Sequence, residues 1–290
     1  ADEIHSKYIT IDTHNDTAMY LNHPDGEDWS VTKGQVSFPL MKQGGLDAAF
    51  FAIYLDQGPL RDSSRDSVFN YAMDEIKLFK QYVKNHKDEA AIAYTPNELK
   101  KLKKKGKSIV VLALENGYGV GTDLARVDSF YRAGCRYITL CHNYTNDICD
   151  ASRYENPNGH GGLSEFGEKV VRRMNELGML VDVSHASTST LEDVIRISKA
   201  PIFASHSAVW AQKNHPRNLK DEEIKAIIKA DINKVAENAN IIRENDSKDL
   251  EIMATTLCST IYLEHEDYVE AFYFISGDSS PYVWSLTNGL

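Results

Sequence analysis

The sequence predicts an α/β fold, a (β/α)8 TIM-like barrel, on three observations. Short apolar runs rich in β-branched residues alternate with amphipathic stretches along most of the chain. Several of those runs are too continuously apolar to be half exposed, which is how buried parallel strands read. Eight strand candidates can be counted in 290 residues, the number that closes such a barrel.

The strand candidates begin with Tyr8–His14, Leu46–Leu55, Ser108–Leu114, Tyr137–His142, Met179–His185 and Pro201–His206, each bounded by Gly, Pro or polar residues. Helical patterns lie between or after them at Ser67–His86, Asp123–Ala133, Glu165–Leu177, Ser189–Ser198 and Asp221–Ala230. This alternation argues for a parallel sheet covered by helices. Thr95-Pro96-Asn97-Glu98 reads as a capping box with proline at the first helical position. The six lysines of Lys100–Lys107 read as a solvated helix C-terminus, where cations favour the macrodipole. Residues 231–252 read as helix plus loop, and Met253–Leu263 and Ala271–Ser276 supply the seventh and eighth strands. After them the chain leaves no room for a full final helix. No repeat, low-complexity tract or linker interrupts the pattern, so residues 1–290 read as a single domain.

Composition narrows the function. With 42% hydrophobic and 26% charged residues, the chain is neither disordered nor collagen-like nor a small disulfide scaffold. Apolar runs of about ten residues at most fall far short of the ~20 that span a bilayer, so no transmembrane segment is expected. The balance of 32 basic against 42 acidic residues, a net charge of −10, lacks the basic footprint of a nucleic-acid partner. Cys135, Cys141, Cys149 and Cys258 contain no CxxC pair, which excludes zinc-finger and thioredoxin readings and leaves a disulfide between any two of them open. A chain that begins at Ala1 with no signal sequence reads as a processed N-terminus, favouring export or the cell envelope. A homodimer stays open.

The positions of the histidines carry the chemistry. His14, His142, His185 and His206 fall at the C-terminal ends of strand candidates, the face on which α/β barrels build active sites. Asp16 follows His14 by two residues and so shares its side of an extended segment. Glu115 ends an apolar run, where a charge is costly unless paired or metal-bound. Imidazole and carboxylate together suit zinc or a similar first-row ion. Five ligands, His14, Asp16, Glu115, His185 and His206, exceed the need of one catalytic zinc but match two ions roughly 3.5–4 Å apart, with Glu115 as the bridge. Gly117–Gly121 lacks both GxGxxG spacing and a Lys-Ser/Thr ending, so it reads as a turn beside the site. Ser184 and Ser205, with no nucleophile elbow, read as strand-end hydrogen bonders.

These segments resemble the membrane dipeptidase (renal dipeptidase) family of zinc peptidases. The resemblance rests on IDTHNDT (11–17), QGGLDAAFFAIYL (43–55), ALENG (113–117), YRAGCRYITLCHNYTND (131–147), GLSEFGEKVVRRMNELGMLVDVSHAS (162–187) and PIFASHSAVWAQKNHPRNLKDEEIKAI (201–227), and so covers residues 8–230. It implies a metal-dependent hydrolase barrel with two Zn2+ ions, His14 and Asp16 on one, His185 and His206 on the other, and Glu115 between. It further implies that His142 contacts the substrate carbonyl and stabilises the oxyanion, and that Arg217 holds the substrate carboxylate, as a guanidinium fork can. The implied reaction is hydrolysis of dipeptides, including ones with a C-terminal D-residue, by a metal-bridging hydroxide. The same scaffold would serve a deacylase or lactonase. Beyond residue 230 the chain departs from the family, whose eighth strand ends in a proton-handling aspartate within a GSDFDG-like motif. Asp278 and Asp267 are the candidates for that role here, and a zinc-binding homologue of impaired activity is the remaining alternative. Asn116 replaces the family's usual glycine, and the tryptophan often found after CHN is missing.

Overall fold

A computed structural model describes residues 8–22, 36–154, 158–245, 260–264 and 269–273. Seven parallel strands form one sheet: β1 (Ile11–Asn15), β2 (Ala48–Tyr54), β3 (Ala90–Ile92), β4 (Ser108–Glu115), β5 (Cys135–Thr139), β6 (Leu180–Asp182) and β7 (Ile202–Phe203). The order is β1-β2-β4-β5-β6-β7, with β3 pairing only the start of β4. The sheet curls into a half-barrel whose first and last strands meet at one end. There Thr13 Oγ1 donates to the Ser205 carbonyl at 2.6 Å, and the His14 and His206 rings stack at 3.8 Å between centroids. The α/β barrel expectation holds.

The helices are α1 (Phe38–Gly44), α2 (Asp62–Asn85), α3 (Pro96–Lys104), α4 (Ala125–Ala133), α5 (Glu165–Leu177), α6 (Thr188–Ile197) and α7 (Asp221–Asn245); α3 sets Leu99 and Leu102 against the interior-facing side chains, and the others pack on the outer face. The capping box on α3 is complete, with Thr95 Oγ1 accepting from Glu98 N and Glu98 Oε2 accepting from Thr95 N. The lysine run closes the same helix. Lys103 reaches Asp47 and the Tyr8 carbonyl, and Lys107 donates to the carbonyls of Lys87 and Asp88. Helix α7 runs to Asn245, so the helix expected in the first part of 231–252 continues the one begun at Asp221.

Strand periodicity divides the core in two. On β2 and β4, Phe51, Ile53, Val110, Leu112 and Leu114 face the helices, while Ala48, Phe50, Ile109, Val111 and Ala113 face the barrel interior with Tyr137 and Phe203. Both faces are buried, which explains the unbroken apolar runs. Inside, the Phe50, Tyr137 and Phe203 rings form a floor with centroids 5.2–6.3 Å apart.

The expected seventh and eighth strands are corrected. Among the described residues, β8 (Thr260–Glu264) and β9 (Val269–Tyr273) pair antiparallel in a two-stranded sheet of their own. Four residues separate them, whereas a parallel crossover needs roughly a dozen, so a hairpin is the pairing the chain can make. The rest of 253–263 and 271–276 lies outside the described residues, as do Asp267, Asp278 and Cys258. Cys135, Cys141 and Cys149 are buried free thiols.

Candidate metal centre

Glu115 is where the strand pattern turns polar. It continues the inward row Ile109, Val111, Ala113 by one step, so its carboxylate stands above the aromatic floor and only 5% of its side chain is exposed. Its Oε2 lies 3.4 Å from His14 Nε2, which in turn lies 3.3 Å from Asp16 Oδ1. Its Oε1 lies 3.2 Å from both His185 Nε2 and His206 Nε2, and 3.8 Å from His142 Nε2. The two oxygens of one carboxylate thus face different donors, with His14 nearest Oε2 and the other histidines nearest Oε1.

Local features of the chain aim His14, Asp16 and His185. In β1, Ile11 and Asp12 pair with Ala48 and Ala49, but Asn15 pairs with Phe51, so the first strand carries one extra residue. Such a bulge reverses the alternation of side chains. It turns His14 and Asp16 toward the interior and leaves Asn15 outside, where its Nδ2 donates to the Phe50 carbonyl. His185 adopts the left-handed conformation, φ +70°, which costs a non-glycine residue on the order of 1 kcal/mol and swings its ring toward Glu115. Asn116 is left-handed as well, φ +81°. The position suits glycine, and asparagine occupies it by donating to the Leu55 carbonyl and accepting from Tyr118 N and Asn146 Nδ2.

Electrostatics in the pocket follow from burial. For His14, desolvation lowers the pKa, but hydrogen bonds to Asp16 and Glu115 outweigh it and raise it to about 10. Burial lowers His185 to about 3 despite Glu115, and it depresses His206 and His142 too. Burial would raise Glu115, yet the surrounding imidazoles hold it well below the usual carboxylate range. One cationic imidazole, His14, and three neutral ones therefore surround an anionic carboxylate.

The donor set fits divalent ions. His185 Nε2 and His206 Nε2 are 2.9 Å apart and each 3.2 Å from Glu115 Oε1. Those edges approach the roughly 3.3 Å edge of a tetrahedron with zinc–nitrogen arms of about 2.0 Å. His14, Glu115 and His206 form one group with metal-ligand spacing, and Glu115, His142 and His185 form another. Asp16 adds a half-exposed carboxylate on the His14 side.

Behind these donors stands a second tier of residues, of which the sequence had marked Ser205 but not Tyr137 or Asp182. Tyr137 OH, from the floor, lies 2.6 Å from His14 Nδ1. Ser205 Oγ lies 2.7 Å from His206 Nδ1 and donates to Asp182 Oδ2 at 2.6 Å, so Ser205 is indeed a strand-end hydrogen bonder. Asp182 is fully buried at the end of β6. The signal available for it was a charge inside the apolar run LVDVSH, the same signal that marks Glu115. His185 Nδ1 is buried without a hydrogen-bond partner.

Arg217 stands on the other side of the site. Its Nη2 donates to the His206 carbonyl at 3.3 Å, while Nη1 is buried with no partner. Burial lowers its pKa, which marks a guanidinium held out of water. It lines a cavity of about 910 Å³ together with His185, Ser207, Trp210 and Lys220. The His142 ring lies 4.2 Å from that of His185, with Tyr54 edge-on at 4.9 Å. Gly117–Val120 is a buried single turn next to Glu115, as expected.

The model of the membrane dipeptidase family, peptidase family M19, matches residues 1–258. The chain belongs to the membrane dipeptidase family. It is 30% identical over 225 residues to Dipeptidase verJ of Clonostachys rogersoniana, a match covering 73% of this chain and 58% of that protein. It is 28% identical over 228 residues to Dipeptidase 3 of Rattus norvegicus, covering 76% and 45%. The crystal structure of the probable dipeptidase PvdM from Pseudomonas aeruginosa superposes with a TM-score of 0.72 at 29% identity, covering 79% of this chain and 60% of that one. The chain thus spans about half the length of the curated relatives it matches. Membership in the membrane dipeptidase family, a family of metallopeptidases, implies dependence on a metal. Among the described residues no helix is long and apolar enough to cross a membrane.

Proposed function

We propose that this chain is a zinc-dependent dipeptidase. The observation that carries the reading is the split of Glu115, one oxygen toward His14 and the other toward His185 and His206. In this reading Glu115 would help hold two zinc ions, with His14 and Asp16 as further ligands of one and His185 and His206 of the other. Zinc held there would acidify water to near neutral pH and act as a Lewis acid on the peptide carbonyl. The chain's own residues supply the rest. Arg217 Nη1, buried and without a partner, is the donor that a substrate's terminal carboxylate would satisfy. His142, kept neutral near pH 7 by burial, offers an N–H to the oxygen that gains charge in the tetrahedral transition state. With the carboxylate fixed at Arg217 and the carbonyl at His142, the accepted substrate is a short peptide. C-terminal D-residues fall within the proposed range.

The test is zinc content and turnover of the reconstituted 290-residue chain. An L-Ala-D-Ala-type dipeptide and an acyl-amino acid would be assayed side by side, with His206→Ala as control. Two zincs per chain and dipeptide turnover lost in the control support the reading. Turnover of the acyl-amino acid alone would favour a deacylase. Two bound zincs with no turnover would make the chain an impaired homologue.

A further inference from the structure

The histidines around Glu115 differ in what holds their far nitrogens, and for His206 that support extends two residues deep. Asp182 Oδ1 accepts from the backbone N–H of Ser184 at 3.0 Å and of Ser205 at 2.9 Å. Its Oδ2 accepts from Thr139 Oγ1 at 2.5 Å and Ser205 Oγ at 2.6 Å. All four contacts come from donors, so the ionised carboxylate is acceptor-only and commits the single hydroxyl proton of Ser205 to itself. Ser205 Oγ, 2.7 Å from His206 Nδ1, then has only lone pairs to offer the ring. The ring nitrogen must bring the proton. Nε2, 3.2 Å from Glu115 Oε1 and 2.9 Å from His185 Nε2, then keeps its lone pair, and the proton these neighbours share sits on His185 Nε2, whose Nδ1 has no partner to hold one.

We propose that Asp182 is a positioning residue that fixes the proton of His206 on Nδ1, through Ser205, and thereby presents Nε2 as a metal ligand. Asp182 touches neither an ion nor a substrate in this scheme. It acts by directing one hydroxyl. The inference rests on the two-zinc reading only for its affinity readout, because the position of the proton can be read without metal.

The scheme makes Asp182→Asn more than a loss of charge. The two backbone N–H groups require an acceptor at the Oδ1 site, so the Asn amide must place its NH2 where Oδ2 stood. That NH2 donates to Ser205 Oγ, which turns its own proton onto His206 Nδ1. The ring is left as the Nε2–H tautomer, which cannot ligate until it tautomerises, an effect of the kind known for a misoriented catalytic histidine. Ser205→Ala only removes the link and forces no tautomer. The double variant Asp182→Asn/Ser205→Ala should therefore bind zinc better than Asp182→Asn alone, although it carries more damage.

The experiment has two arms on the full 290-residue chain. Long-range 15N–1H spectra of the histidine rings, recorded without metal, report whether His206 Nδ1 carries a proton. Competition with a chromophoric chelator reports zinc affinity. The expected result is a protonated Nδ1 in the parent chain and an unprotonated one in Asp182→Asn. Zinc affinity in Asp182→Asn should drop by roughly 10–100-fold, the usual cost of losing such outer support, and return in the double variant to the Ser205→Ala level. An unprotonated Nδ1 in the parent, or a double variant no better than Asp182→Asn, would overturn the proposal. Should the parent bind no zinc, the zinc reading fails and the spectrum alone decides on Asp182. Should Asp182→Asn not fold, the parent spectrum still decides.

Discussion

Asp231 offers a test of how burial sets the pH range in which this fold is stable. It lies on α7, is 2% exposed, and its Oδ1 accepts from Ile202 N at 3.0 Å, anchoring the start of β7. Burial raises its pKa to about 7, against the hydrogen bond from Ile202 and the charge of Lys234, which pull it down. In the unfolded chain the value is about 3.9. Between pH ~4 and ~7 the folded chain therefore holds a proton that the unfolded chain releases. Stability is then greatest below pH ~4 as far as this group is concerned, falls as pH rises through the window, and is flat above it. At about 1.4 kcal/mol per unit, the three-unit gap amounts to roughly 4 kcal/mol as an upper bound. Asp231→Asn keeps an acceptor for Ile202 and removes the titration. Urea unfolding of both proteins in chelator from pH 5 to 8 covers about two of the three units, so the variant should gain up to about 3 kcal/mol on the parent between pH 5 and pH 8, nearly all of it below pH ~7. A difference that does not change with pH, or one that grows toward acid, would refute the reasoning.

Three further outcomes follow from other contacts. Arg65 donates from Nε and Nη2 to the two oxygens of Asp147 at 2.8 and 2.6 Å with both side chains largely buried, so Asp147→Asn should cost about 3 kcal/mol in urea unfolding. Asn116→Val places a β-branched residue at φ +81° and removes three hydrogen bonds, so a loss of at least 3 kcal/mol is expected, whereas Asn116→Gly loses only the bonds, about 1–3 kcal/mol. In the proposed dipeptidase, His142→Ala should lower kcat by about 10²–10³-fold with zinc content unchanged, while Arg217→Ala should mainly raise KM for dipeptides, as steady-state kinetics would show.

Much of the site was legible because an apolar run that ends abruptly in a ligand-type residue is unusual. His14, Glu115, His142, His185 and His206 all announce themselves this way, and the structure gathers them around one carboxylate. What aims them was not legible. By simple alternation Thr13 would join Ile9 and Ile11 in facing inward, and only the register with β2 reveals the extra residue that turns His14 in instead. Asp182 showed only as a charge inside LVDVSH, because the side chains that give it a role, Thr139 and Ser205, are distant in sequence. The three-residue β3, Ala-Ala-Ile, is too short and too alanine-rich to stand out from the loop before α3. The hairpin was foreseeable, since seven residues between Leu263 and Ala271 cannot hold a helical crossover.

The extra residue in β1 has a consequence for how this site could be moved or changed. Upstream of it, Ile9 and Ile11 answer to the shape of the barrel interior; downstream, His14 and Asp16 answer to the chemistry above the floor. One irregular peptide separates the two sets of demands, so each half of the strand can vary without disturbing the phase of the other. A designer grafting the His-x-Asp pair onto another parallel barrel would need to carry Asp12 to Asp16 as one block. Kept at the same spacing from Ile11 on a regular strand, the two ligands would point at the helices.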